Sequence, residues 1–417
     1  MTAQAFATLF VAVLFAGMLL KAVLLTRQVR HVRAHRERVP AAFAERIALH
    51  AHQKAADYTV ARARLGRIEL AVSAAFVLAL TLGGGLQALA DLWAGLLAPG
   101  GLVPGLALLG TLGVLSWLVD LPFALIRTFG IEKRFGFNRM TPALYAADTA
   151  REALLAVLIG LPVLAAVLWL MGTMGEYWWL WVWAFWLGVN LLALLIWPTF
   201  IAPLFNKFTP LQDDALRARV EGLLARCGFQ ARGLYVMDGS RRSAHGNAYF
   251  TGFGAARRIV FFDTLLEKLA PQEVEAVLAH ELGHFHHRHI VQRIALLALT
   301  SLGVMALLGW LIAEPWFYAG LGVREAHTAS ALALFSLVLP AFAFPLAPLM
   351  SHWSRVHEFE ADRYAARQTR ADDLVGALVK LYRDNAATLT PDPLYSKFFD
   401  SHPPAAIRVA HLEALPR

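Results

Sequence analysis

Cysteine is nearly absent: Cys227 is the only one in 417 residues. No intrachain disulfide can form, and a four-cysteine zinc site is excluded. A lone thiol fits a soluble part that faces the cytosol. Charge is scarce as well, at 16% of residues, where a soluble protein of this size carries about a quarter. Hydrophobic residues make up 58%, and the mean hydropathy is +0.52. The apolar excess comes in blocks, which points to membrane spans rather than to one oversized core. The first block lacks a basic leading region and a small-residue cleavage site, so it reads as a retained span and not as a signal peptide. Internal repeats and low-complexity linkers are also missing.

Seven apolar stretches are long enough, at about 20 residues each, to cross a bilayer. They lie near 3–25, 68–90, 102–126, 153–172, 177–200, 290–313 and 329–350. The loop 27–67 carries ten basic residues, and the loop 127–152 carries Arg127, Lys133, Arg134, Arg139 and Arg151. The alternate loops 91–101 and 173–176 hold no Lys or Arg, and 314–328 holds only Arg324. All basic loops therefore fall on one side, which predicts an N-terminus outside the cytoplasm and a C-terminus inside it. The net charge of +8 is thus an orientation signal, and nucleic-acid binding is not needed to explain it. Lys21 sits near the inner end of the first span, where its stem can snorkel. YWWLWVWAFW (177–186) reads as an aromatic belt at the outer surface. Asp120 and Asn190 fall within spans, where polar groups face protein or water, although Asp120 also fits a place at the interface.

The chain divides into an N-terminal membrane region (1–201), a cytoplasmic segment (202–289), two further spans (290–350) and a cytoplasmic C-terminal segment (351–417). In the second part, 213–228 reads as a helix stopped by glycine, and 234–238 as a strand. Residues 247–254 and 258–262 read as a β-hairpin, and 271–290 as a helix opened by proline.

That last helix holds AVLAHELGHFHHRH (276–289), five histidines in fourteen residues. His280 and His284 are four apart, so on a helix they project about 40° from one another and face one point. The spacing suits two nitrogen ligands of Zn²⁺, and Glu281 lies close enough to take a proton from an activated water without ligating the ion. The bland alternative is an amphipathic helix with solvated histidines, a polar collar where a span meets water. A catalytic site needs a third protein ligand and an open position. HEFEAD (357–362) follows the seventh span, whose end lies beside the start of the sixth. On a helix Glu358 and Asp362 share a face while Glu360 points away. One of the pair can ligate zinc and the other can accept a ring N–H from a ligand histidine. A centre buried in the bilayer is disfavoured by the polar HFHHRH that follows. His31 and His35 are also four apart, but lie in an arginine-rich loop with no adjacent glutamate and read as no metal site.

Several long motifs, in order, resemble the CAAX prenyl protease type 1 family. HQKAADYTVARARLG (52–66) and IEKRFGFNRMTPALYAAD (131–148) resemble the family's first two cytoplasmic loops, and PTFIAPLFNKFTPL (198–211) the segment leaving the fifth span. NAYFTGFGAARRIVFFDTLL (247–266), HELGH, EFEAD and SHPPAAIR (401–408) follow in the family's order. The resemblance implies a mainly α-helical integral membrane protein. Seven transmembrane helices would ring a water-filled chamber, with a zincin-like cytoplasmic metalloprotease domain containing a small β-hairpin or sheet. It implies one Zn²⁺ per chain held by His280, His284 and Glu358, with Glu281 as general base and Asp362 behind the ligands. His402 and Arg408 would lie near the scissile carbonyl. Asn247, Ala248 and Tyr249 would form the edge strand that pairs with extended substrate. His286, His287 and Arg288 read as interfacial, and His289 at most as a residue behind a ligand.

The expected function is a zinc metalloendopeptidase of the membrane that cleaves near the C-terminus of isoprenylated proteins. Its partners would be peptide or protein substrates and the lipid bilayer, with no nucleic acid. An Ala/Leu/Arg-heavy composition suggests a bacterial cytoplasmic membrane, where a broad-specificity quality-control protease is the alternative. A third reading is a membrane scaffold or conduit with a structural zinc.

Overall fold

The computed structural model describes residues 1–98, 101–251 and 258–415. The membrane region begins with α1 (Ala3–Ala34) and α2 (Leu49–Leu80), 32 residues each. At 1.5 Å per residue each is about 48 Å long, roughly 18 Å more than a hydrocarbon core of about 30 Å needs. The surplus takes up much of the predicted loop 27–67, and Val29, Val32, Ala56, Val60 and Ala63 pack the two projecting ends together. His31 and His35 stack there with ring centroids 4.3 Å apart, and His35 Nδ1 lies 2.8 Å from the His31 carbonyl.

The predicted span 68–90 does not exist as one helix. α2 stops at Leu80 and α3 (Gly85–Leu96) sets off at 51° to it. The cause is the run Gly83-Gly84-Gly85. Gly84 is left-handed at φ 74°, and a Cβ on Gly83 would stand 2.7 Å from the Ala79 carbonyl oxygen. The next helices are α4 (Leu102–Glu132), α5 (Pro142–Thr173) and α6 (Gly175–Phe205). With α1 and the later helices His289–Leu311 and Thr328–Gln368, the described residues hold six helices long and apolar enough to cross a membrane, or seven if the bent pair counts as one. The Lys21 Nζ sits 4.3 Å from the centre of the Phe344 ring. Asp120 is exposed, and Asn190 donates to the Trp186 carbonyl of its own helix at 2.8 Å.

The polar segment contains β1 (Phe208–Pro210), α7 (Asp214–Arg226), β2 (Gly233–Met237), β3 (Ala248–Thr251) and β4 (Arg258–Phe262). The sheet order is β1-β2-β4-β3, with β2 and β4 parallel and the other pairs antiparallel. Tyr249 faces Val260 in the antiparallel pair, and residues 252–257, which include the expected turn, lie outside the described residues. β3 is an edge strand. Ile259 and Phe261 of β4 are fully buried against Val220 and Leu223 of α7 and against Ala279 and Leu282 of α8 (Pro271–His286).

α8 is not an extension of the sixth span. It ends at His286, Arg288 turns left-handed at φ 57°, and α9 (His289–Leu311) starts in a new direction. The last span is α10 (Thr328–Ala343), a 3₁₀ turn at Phe344–Leu346, and α11 (Ala347–Gln368). Pro340, Pro345 and Pro348 withhold backbone donors around that turn. Helix therefore continues 18 residues beyond the predicted end at 350 and carries HEFEAD with it. α12 (Ala371–Asp384), α13 (Pro393–Phe399) and α14 (Ala405–Glu413) close the chain over α8 and α11.

Candidate metal centre

The site forms where α8 lies against α11. Gly283 sets the distance between them: a Cβ there would meet the Ala361 Cα at 2.8 Å and its carbonyl oxygen at 3.0 Å. Small residues at the crossing bring the two backbones into contact. His280 and His284 on one helix then reach Glu358 and Asp362 on the other.

Glu358 Oε2 lies 3.5 Å from His280 Nε2, and Glu358 Oε1 lies 3.5 Å from His284 Nε2. These distances are long for hydrogen bonds. They match the roughly 3.4 Å that separates two donors each about 2.1 Å from one tetrahedral ion. Glu358 is 2% exposed, and its Oε2 is buried with no hydrogen-bond partner. His280 Nε2 and Arg408 Nη1 both stand off from it at 3.5 Å, and a buried carboxylate oxygen held this loosely gains from a closer cation. Two imidazole nitrogens and a carboxylate, all within 4.8 Å of one another, fit zinc.

Behind the donors, His280 Nδ1 is 2.8 Å from Asp362 Oδ1. Asp362 is fully buried and takes two hydrogen bonds of 2.7 Å from Arg408, through Nε and Nη2. Arg408 is itself 5% exposed, and its Nη1 stands 3.5 Å from Glu358 Oε2. The guanidinium is thus occupied by the two carboxylates rather than facing open space.

The two histidines are shifted in opposite directions. Burial and the Arg408 charge push His280 down, but Asp362 and Glu358 outweigh them and lift it to about 9. Burial and the charge on His280 push His284 down to about 3. At neutral pH the pair therefore carries one proton more than two neutral imidazoles. Glu281 is half-buried and has no hydrogen-bond or ion-pair partner among the described residues. Burial raises its carboxyl pKa, Glu358 adds to the rise, and His280 opposes it.

His402, on the loop before α14, is exposed, with Nε2 3.4 Å from Glu358 Oε1 and Nδ1 3.0 Å from Ser401 Oγ. It also lines a cavity of about 690 Å³ shared with Tyr58, Arg62, Arg127, His245 and Tyr395. That cavity reaches from α1 and α2 to the C-terminal segment. The edge strand meets α8 through Phe250 and Phe285, whose rings are 5.1 Å apart. Asn247 accepts through its side chain from the Ala248 N–H at 2.9 Å, and Tyr249 OH reaches Met237 Sδ at 4.0 Å. Asn247, just before β3, is engaged with its neighbour's backbone and Tyr249 with β2, so what the strand offers outward is backbone.

Sequence reasoning allowed His289 a place behind a ligand but missed its two partners, Glu360 and His357. His289 is 1% exposed and touches His284, and Glu360 touches His289. His357 is buried too and stacks on His289 with ring centroids 3.8 Å apart. His357 opens the HEFEAD hexad, and its position one turn before Ala361 was the available signal. His286, expected at an interface, lies against the Tyr364 ring at 4.6 Å.

Residues 28–207 match the profile described as "CAAX prenyl protease N-terminal, five membrane helices", and residues 210–415 match that of peptidase family M48. The chain is 37% identical over 310 residues to a CAAX prenyl protease 1 homolog of Arabidopsis thaliana, covering 72% of each. It is 36% identical over 324 residues to CAAX prenyl protease 1 of Saccharomyces cerevisiae, covering 74% of this chain and 72% of the relative. The crystal structure of S. mikatae Ste24p superposes with a TM-score of 0.92 at 30% identity, over 98% of this chain and 99% of that one.

Proposed function

The chain belongs to the CAAX prenyl protease 1 family, multi-pass membrane metalloendopeptidases of peptidase family M48, and on that premise we propose how its residues divide the work. His280, His284 and Glu358 hold one zinc ion. The observation that supports this most strongly is the buried Glu358 Oε2, which makes no hydrogen bond and stands 3.5 Å from the His280 nitrogen. Membership in an enzyme family removes the scaffold reading.

Zinc, when bound, supplies Lewis acidity that polarises the scissile carbonyl and eases loss of a proton from water. Glu281 accepts that proton on its free carboxylate and hands it to the departing amide nitrogen. Its raised pKa moves the carboxyl toward the working pH, where one group can both take and return a proton. His402 stands on the exposed side and donates from Nε2 to the developing oxyanion. Arg408 acts one layer back: it holds Asp362, which in turn orients His280. The outer edge of β3 at Asn247, Ala248 and Tyr249 binds substrate as an added strand through main-chain hydrogen bonds.

The substrate class is the C-terminal region of isoprenylated proteins, and the metal centre faces the cytoplasm, as the basic loops indicate. A strand edge that recognises backbone demands little sequence. This supports a second reading, a quality-control protease of broad specificity. Turnover of one peptide with and without a farnesyl group separates the two, since equal rates favour the second. For the mechanism, Glu281→Gln retains zinc and loses proteolysis, whereas His284→Ala loses both. A Gln variant that cleaves like the parent removes Glu281 from the chemistry.

A further inference from the structure

Both ligand histidines turn Nε2 toward Glu358, so each has Nδ1 left to satisfy behind the metal position. His280 does so directly on Asp362. His284 has no carboxylate at that place. Its Nδ1 meets Nδ1 of His289 at 2.8 Å, and Nε2 of His289 meets Glu360 Oε2 at 2.8 Å.

The hydrogens on this chain can be assigned from its two ends. Glu360 is an acceptor, so His289 carries its proton on Nε2 and donates there. A neutral His289 then has a bare Nδ1, which accepts from His284 Nδ1–H. That leaves His284 Nε2 with a free lone pair directed at the metal position. In the opposite assignment Nε2 of His289 would face a carboxylate with lone pair against lone pair, and His284 would carry its hydrogen where the ligand bond must form.

We propose that His289 and Glu360 are positioning residues for the metal centre, a carboxylate acting through an interposed imidazole to fix the tautomer and orientation of His284. The proposal rests on the reading of His284 as a metal ligand. The surroundings are built to hold His289 still: it is 1% exposed, stacked on His357 at 3.8 Å and 5°, with the His287 ring near-parallel to it at 5.5 Å and 15°. His357 is fixed in turn by Gln292 Oε1 at 3.0 Å from its Nε2, and by the Trp353 ring. The left-handed Arg288 ends α8 and places His289 back under His284, five residues on.

His289, His357 and Glu360 could also be read as a second metal site, since their donor atoms lie close together. The stacking argues against it. Parallel rings aim their lone pairs alongside one another, not at a common point, and both nitrogens of His289 are already engaged. The two carboxylate supports differ in reach for a visible reason. Asp362 sits on α11 one turn from Glu358 and faces His280, whereas Glu360 points off that face and needs an imidazole to span the gap to His284.

The test uses the full-length chain in detergent, with zinc affinity read by chelator competition and the ligand field read from the visible spectrum of the cobalt-loaded protein. His289→Leu and Glu360→Leu should each weaken zinc binding by about 10- to 100-fold and alter the cobalt spectrum, the range seen when an outer partner of a ligand is removed. His289→Gln should recover part of the loss, because its amide oxygen can still accept from His284. Thermal unfolding of the metal-free forms should match the parent. If His289→Leu fails to fold, the Glu360 variant, whose side chain lies nearer the surface, decides. Unchanged zinc affinity in either variant overturns the proposal, and so does a parent chain that binds two zinc ions. Zinc retained by His284→Ala sinks the metal reading itself, and this inference with it.

Discussion

Gly283→Ala tests the packing logic of the metal centre with a single methyl group. The added Cβ would stand 2.8 Å from the Ala361 Cα, 3.0 Å from its carbonyl oxygen and 3.1 Å from the Tyr364 Cβ. Carbon atoms rest at about 3.5–4.0 Å, so α8 and α11 must part by roughly 0.7–1 Å or shear. None of the three atoms is the tip of a flexible chain. Overpacking of this kind costs about 1–3 kcal/mol. Replacing glycine inside a helix returns about 1 kcal/mol. The net expectation is a metal-free fold less stable by about 0–2 kcal/mol from those two terms. The larger effect falls on zinc. Glu358 rides on α11 and the histidines on α8, and donors already 3.5 Å apart cannot open by most of an ångström and still share one ion at about 2.1 Å. Chelator competition should therefore show a zinc affinity loss that exceeds the loss in unfolding free energy measured by thermal melts. A variant that is stabilised and binds zinc like the parent would show that the helices do not set the ligand geometry.

Removing Arg408 should be severe: Arg408→Leu leaves Asp362 and Glu358 buried without their cation, a change worth about 3–5 kcal/mol in thermal or denaturant unfolding, and a stable variant would contradict the buried pair. Zinc uptake should also carry a pH signature. His280 titrates near 9 without metal and His284 near 3, so uptake at neutral pH displaces about one proton, and affinity should fall up to tenfold per pH unit below 9. Calorimetry in two buffers of different ionisation heat counts that proton, and a count of zero rules out the charged His280. The sign for the metal-free fold follows from the same shift. His280 is raised above its ordinary 6.5, so its stabilisation is full below 6.5 and lost as pH rises through about 9. Gly84→Ala puts a side chain at φ 74° and should cost about 1–2 kcal/mol in detergent melts through the bend between α2 and α3; no loss would mean the bend relaxes freely.

The spans and hairpin were readable because each depends on a local property, apolar length in one case and alternation in the other. The errors fall where a local property changes meaning. Gly83-Gly84-Gly85 is as apolar as its neighbours, so hydropathy counts it within a span, while its backbone freedom turns the chain by 51°. Likewise polar residues at 351–368 end the apolar run without ending the helix, because α11 leaves the apolar layer still hydrogen-bonded to itself and packs on α8.

In the site, what could be read was what one helix can arrange alone. His280, Glu281 and His284 share a face by helical spacing, and so do Glu358 and Asp362. Which atom of one helix meets which atom of the other depends on the Gly283–Ala361 contact, a property of two segments more than seventy residues apart. Arg408 shows the consequence: the family resemblance implies a place near the substrate carbonyl, but its 2.7 Å contact with Asp362 depends on packing that no single segment encodes. His289 shows the converse. Its register after His284 carries no helical signal, because the left-handed Arg288 intervenes and breaks the period. A helix continuing through 288 would rotate His289 about 500° from His284, well off the shared face. The break is what returns it to within 2.8 Å. A turn that looks like the end of the motif is therefore the part that connects His284 to Glu360, and Arg288→Gly, which relieves the backbone, should preserve zinc affinity where Arg288→Pro destroys it.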